Sequence, residues 1–102
     1  MVLEICTMEV RADSEDAFAA AYRQARPILT GTPGCRSVRL TRGIESPSRF
    51  YLLVEWDSLE SDEQGFRRTD RLPRWRALLE QYYASPPVVE HANDVPSAPA
   101  RH

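Results

Sequence analysis

Apolar and polar residues change period along the chain, and each change marks an element. Residues 2–10 are rich in β-formers with apolar side chains at both parities, the pattern of a strand covered on two faces. Asp13 and Ser14 then offer N-capping oxygens, and Glu15 and Asp16 suit the positive end of a helix. Phe18, Ala21, Tyr22, Ala25, Ile28 and Leu29 recur at helical spacing, so a helix is predicted over 14–30, with Pro27 removing one backbone hydrogen bond near its end. Gly31, Pro33 and Gly34 stop it. Cys35 to Arg42 alternates as a strand with one wet face.

Arg49 to Trp56 is the clearest strand: Phe50, Leu52, Val54 and Trp56 share one face, and Tyr51, Leu53 and Glu55 the other. Asp57 or Ser58 caps a helical segment reaching about Phe66, weakened by Gly65. Thr69 or Asp70 starts another, with Leu72, Trp75, Leu78, Leu79 and Tyr82 on one stripe and Pro73 in the tolerant first turn. Ser85-Pro86-Pro87 ends it, and Val88 to Ala92 is a short last strand. The order β-α-β-β-α-β is the ferredoxin-like pattern of the α+β class, a four-stranded antiparallel sheet with helices on one face. Residues 1–92 form the predicted domain, and 93–102, with Pro96 and Pro99 among small and polar neighbours, a flexible C-terminal tail.

Helices cover one side of such a sheet, yet Tyr51 and Leu53, with Leu3 and Ile5 beside them, are apolar on the other. A patch of that size is rarely left bare on a monomer. The pattern therefore predicts a homodimer joined through its sheet faces.

Composition narrows the chemistry. The 102 residues are 42% hydrophobic and 27% charged, with a net charge of -2, an ordinary globular balance that lacks the ~18-residue apolar run of a membrane span, so no membrane is expected. All 13 basic residues are Arg, which excludes a Schiff-base, P-loop or general-base lysine. Arg67, Arg68, Arg71, Arg74 and Arg76 cluster, but a slightly acidic chain has no one-sided basic footprint, and no nucleic acid partner is expected. Two His (His91 and His102) and two Cys (Cys6 and Cys35) would all be consumed by one structural zinc site, so no metal is expected. The thiols read as reduced packing residues, and a start carrying Glu4 and Glu9 in place of a basic leader points to the cytoplasm.

The stretch Phe50-x-Leu52-x-Val54-Glu55-Trp56-Asp57-Ser58-Leu59-Glu60 is followed by Gly65-Phe66-Arg67-x-Thr69, Trp75-Arg76-x-Leu78-Leu79 and Pro86-Pro87-Val88-Val89-Glu90-His91. Together they resemble the antibiotic biosynthesis monooxygenase (ABM) family of dimeric ferredoxin-like α/β barrels, over about residues 2–92. The resemblance implies a cofactor-independent monooxygenase acting on a small aromatic, quinol-like or polyketide-like substrate in an apolar pocket. The alternative it leaves open is a non-catalytic small-molecule-binding or dimerisation module. The family's haem-degrading branch carries an Asn in strand one and a His ten residues past the strand-three Trp; here strand one has no Asn and that position is Phe66, so haem is not expected, nor any other cofactor. Its aromatic-polyketide branch has an Asn where this chain has Leu52, and a helical Arg where it has Arg76. Many members carry a His shortly after that Trp, and Asp62 occupies the stretch here.

Three residues are candidates for catalysis. Trp56 is a large apolar anchor whose NH needs a partner, and that NH and Arg76 are the donors available to a developing anion. His91 is the one histidine in the predicted domain, a candidate base or a structural donor at the dimer seam; its adjacent carboxylate, Glu90, points the other way along a strand. Expected pocket walls are Cys6, Met8, Phe50, Leu52, Val54, Phe66, Trp75 and Tyr82, with Tyr83 at the dimer or the surface. Arg67, Arg68, Arg71 and Arg74 read as a solvated face pairing with Asp62, Glu63 and Asp70.

Overall fold

A computed structural model describes residues 1–97. It contains β1 (Val2–Glu9), α1 (Glu15–Thr30), β2 (Cys35–Arg42), β3 (Arg49–Trp56), α2 (Leu59–Asp62), α3 (Arg71–Leu79) and β4 (Val88–Ala92). A π-helical turn (Glu63–Arg67) continues α2, and a 3-10 turn (Glu80–Tyr82) continues α3. The strands form one antiparallel sheet in the order β2-β3-β1-β4, the expected ferredoxin-like α+β arrangement. Residues 93–97 are exposed and lie in neither helix nor strand. The rest of the predicted tail, with His102, lies outside the described residues.

Period-two patterning decides the two faces. In β1 and β3 every second side chain is buried: Glu4, Cys6 and Met8 in one, Phe50, Leu52, Val54 and Trp56 in the other. Glu4 pairs with Val54 and His91, Cys6 with Leu52 and Val89, and Met8 with Phe50, so these side chains form one layer under the helices. On the rear face Leu3, Ile5, Tyr51 and Leu53 are half-buried and Val88 is exposed. The roof is aromatic: Phe18 of α1 packs on Phe50 at 4.9 Å, and Trp75 of α3 meets Tyr22 and Phe66 edge-on.

Helix starts follow the residue types with some changes of partner. Neither Asp13 nor Ser14 caps α1 through its side chain; Asp13 takes a left-handed backbone (φ 68°), and Glu15 in the first turn accepts the Ser48 hydroxyl at 2.6 Å. Ser58 caps α2 by accepting from the Ser61 amide. At α3 the oxygen that accepts an amide, that of Arg71 at 3.2 Å, belongs to Thr69 and not to Asp70. Gly34 has φ 85°, and a Cβ there would lie 2.3 Å from the Ser61 hydroxyl, so only glycine lets the β2 entrance pass this close to α2.

The helical segment predicted to run to Phe66 changes pitch after Asp62. The Arg68 amide reaches back to the Glu63 carbonyl at 3.2 Å, an i to i+5 closure. Asp62 and Phe66, four residues apart, are buried on one face, and the widened turn returns Arg67, five residues on, to the side of Asp62.

Candidate functional site

A cavity of about 940 Å³ opens between the sheet and α3. Its floor is the helix-facing side of β1, β3 and β4 through Glu4, Cys6, Leu52 and Val89. Leu72, Trp75 and Arg76 of α3 form one wall, and Tyr83 with Pro86 and Pro87 the other. Strand parity supplies the floor and the helical stripe the wall, so the lining is mainly apolar with a few polar groups, the usual composition of a small-molecule site.

The polar groups converge at one end. Trp56, with no exposed surface, donates its indole NH to Glu4 Oε1 at 3.0 Å. Arg67 places Nη2 3.4 Å from Glu4 Oε2 and Nε 3.2 Å from Asp62 Oδ2. His91 Nε2 lies 2.7 Å from the same Asp62 oxygen. Glu4 and Asp62 are both buried, whereas the His91 side chain keeps 26% of its surface exposed. Four segments distant in sequence thus build one network, running from a carboxylate on the cavity floor through a sealed carboxylate to an imidazole at the edge.

Electrostatics follow from that burial. Removal from water, and next the nearby Asp62 carboxylate, raise the Glu4 pKa above its ordinary value against the opposing pull of Trp56, Arg67 and His91. Burial pushes the Cys6 thiol up to about 12, so it remains a neutral wall and not a nucleophile. Burial also raises Tyr83, keeping its hydroxyl protonated and able to donate. Asp62 Oδ1 is buried without a hydrogen-bond partner, an arrangement that costs about 1–3 kcal/mol. Glu4, Asp62 and His91 offer atoms of metal-ligating type within 4.8 Å of one another. The Arg67 guanidinium, bonded to both carboxylates, already supplies this cluster with a cation.

Among the residues singled out from sequence, Cys6, Leu52, Trp75 and Arg76 line the cavity. Met8, Phe50, Val54 and Phe66 lie in the closed core, because Phe18 and the π-turn press directly onto that part of the sheet. Tyr82 packs edge-on against Phe18 at 6.3 Å, and Tyr83, expected at the dimer or the surface, faces the cavity. Trp56 is beneath the floor and reaches the cavity through Glu4. His91 stands behind Asp62 and off the cavity wall, and the carboxylate that orients it is Asp62, not Glu90. Asp62 and Arg67, read as parts of a solvated face, are instead respectively sealed and half-buried in the network: Asp62 ends α2 facing inward, and the widened turn brings Arg67 beside it. Glu4 was missed as a site residue. Its signal was an acid on the same strand parity as Cys6 and Met8.

Comparison with known proteins agrees with the architecture. A family model described as antibiotic biosynthesis monooxygenase matches residues 1–78. The uncharacterized protein YczJ of Bacillus subtilis (strain 168) is 38% identical over 95 residues, 93% of this chain and 100% of its own. The crystal structure of a "Putative antibiotic biosynthesis monooxygenase" from Bordetella bronchiseptica superposes with a TM-score of 0.88 at 35% identity, covering 92% of this chain and 96% of its own. SnoaB, a cofactor-independent oxygenase from Streptomyces nogalater, shares the fold with a TM-score of 0.77 at 13% identity, over 97% of each chain. No described helix is long and apolar enough to cross a membrane.

Proposed function

The chain belongs to the antibiotic biosynthesis monooxygenase family, and from that premise we propose that it is a cofactor-independent monooxygenase of a small aromatic, quinol-like or polyketide-like molecule. The observation that carries this reading is the cavity of about 940 Å³, lined by Leu72 and Trp75 of α3 and Val89 of β4, with Arg76 on its wall and Glu4 and Arg67 at one end. A phenolic substrate with an activated CH₂ group becomes an electron-rich anion on losing a proton. That anion can reduce O₂ and combine with it, ending in a ketone and one water. The protein's task is to hold the anion away from bulk water and to donate hydrogen bonds to its oxygen. Arg76 on the wall and the protonated Tyr83 hydroxyl are suited donors, and Trp56 fixes the Glu4 carboxylate.

Oxygen uptake and product mass on a panel of hydroxyanthrones and hydroquinones test the reading. Turnover is expected with at least one member, reduced in Trp56→Phe and Arg76→Ala; inactivity on the whole panel removes the enzyme reading. The apolar Leu52 on the floor favours a second reading, a binding module without chemistry. A ligand retained through purification, seen by native mass spectrometry without oxygen consumption, would favour that module.

We also propose a homodimer through the rear sheet face, supported by Leu3, Ile5, Tyr51, Leu53 and Val88 on one uncovered surface. A monomer by light scattering at micromolar concentration would refute it. The unpaired Cys6 and Cys35 fit a reducing compartment, so we place the protein in the cytoplasm.

A further inference from the structure

The network beneath the cavity contains more ionisable groups than binding an apolar molecule requires. Two carboxylates, Glu4 from β1 and Asp62 from α2, are buried side by side. The charged or titratable groups facing Glu4 are Asp62 from α2, Arg67 from the π-turn, His91 from β4, Cys35 from β2 and Cys6 two residues along β1. Arg67 offsets one negative charge, which leaves one unbalanced when both acids are ionised and His91 is neutral. Burying an unbalanced charge is costly, and binding one proton removes it. Asp62 Oδ1, sealed and without a partner, is a second sign that the cluster is short of one hydrogen. The cluster is connected at both ends: Glu4 borders the cavity, and the His91 ring is partly exposed to solvent.

Building on the oxygenase reading, we propose that Glu4 is the catalytic residue that takes the proton from a bound phenolic or enolisable substrate. Asp62 and His91 are positioning residues that keep the Glu4 carboxylate poised and hold the shared charge while the proton is away from the substrate. In the first step a substrate O–H or C–H bond breaks and an O–H bond forms on Glu4, leaving the substrate anion. The anion is oxidised by O₂, which is reduced to a peroxide joined to the substrate carbon. In the last steps the stored proton passes from Glu4 to the outer peroxide oxygen, the freed carboxylate takes the remaining C–H proton as the O–O bond breaks and the carbonyl forms, and the expelled hydroxide takes that proton and departs as water. The CH₂ group and O₂ become C=O and H₂O, so the proton taken at the start is returned at the end. Glu80, the other carboxylate on the cavity wall, is exposed and lacks the partners that would keep it poised.

The test separates the proton step from the oxygen step. Under nitrogen near pH 7, 1,8-dihydroxyanthrone is mixed with the protein, its binding followed by tryptophan quenching and its ionisation by the visible band of its anion. The wild-type protein is expected to bind and ionise it, and isosteric Glu4→Gln to bind it comparably with at least about tenfold less anion. Glu4→Asp recovers part of the signal, and His91→Gln and Asp62→Asn shift its pH midpoint without abolishing binding. Binding without ionisation by the wild type, or full ionisation by Glu4→Gln, overturns the assignment. No binding at all removes it together with the oxygenase reading. An anion that forms under nitrogen and consumes no oxygen on aeration leaves Glu4 as the proton acceptor and removes the oxygenase reading alone.

Discussion

The helix-facing row of β1 runs from Glu4 through Cys6 to Met8, and its two ends are built on opposite terms. At the Met8 end, Phe50 from β3, Phe18 from α1 and the tyrosines after α3 close over the strand as a dry, interdigitated core. At the Glu4 end, Trp56, Arg67, Asp62 and His91 bury charge, and one carboxylate oxygen is left without a partner. The same strand, with the same alternation, thus spends one end on packing and tolerates cost at the other. Such a local violation of the rules that govern the rest of the core is the ground on which we propose this end as the functional site.

Breaking the packed end gives the largest expected effect. Phe18→Ala is expected to cost about 3–5 kcal/mol by chemical denaturation, while the fraction that remains folded keeps its affinity for a cavity ligand. Asp62→Asn reverses the balance. It costs about 1–3 kcal/mol because Arg67 and His91 lose a charged partner, yet it alters the cavity's acid–base behaviour. If both variants changed stability and ligand chemistry in the same proportion, the contrast between the two ends would be false.

A pH series sharpens the contrast further. The Glu4 pKa is raised in the folded state, so the native protein keeps a proton that the unfolded chain has already released. That contribution is fully present below the ordinary carboxylate range and is lost as pH rises through the raised value. Wild-type melting temperature should therefore fall over this interval, and the Glu4→Gln curve should be flatter; parallel curves would remove Glu4 as the source. The smallest effect belongs to the surface, where the exposed Arg36–Asp57 ion pair should lose less than about 1 kcal/mol on Arg36→Ala.

The packed end was legible in the sequence because periodicity encodes burial. Phe18, Met8, Phe50 and Trp75 each sit where alternation or helical spacing places an inward residue, and every strand lies within one residue of its predicted range at either end. The charged end was only half legible. Trp56 and His91 were recognisable as residue types, but their partners Glu4 and Asp62 are distant in sequence, and no local pattern records which groups a sheet register will bring together. The inward position of Arg67 also depends on a change of helical pitch that the sequence signals only through Gly65, since Glu63, Gln64 and Arg67 are ordinary α-helix formers. Tyr83 was misplaced for a related reason: helical spacing assigns the inward position to Tyr82, whereas the 3-10 turn after Leu79 swings its neighbour toward the cavity.

The five-residue turn from Glu63 to Arg67 makes the placement of the arginine a matter of helical pitch. Rewinding these five residues to ordinary α pitch, with none removed, would swing the Arg67 guanidinium by about 100° around the axis, away from both acids it now bridges. The sheet would survive such a change, since its strands lie elsewhere, but the two acids would be left without their shared counterion. Relatives of the same length that wind this segment at ordinary α pitch should therefore divide by chemistry even where their sheets superpose.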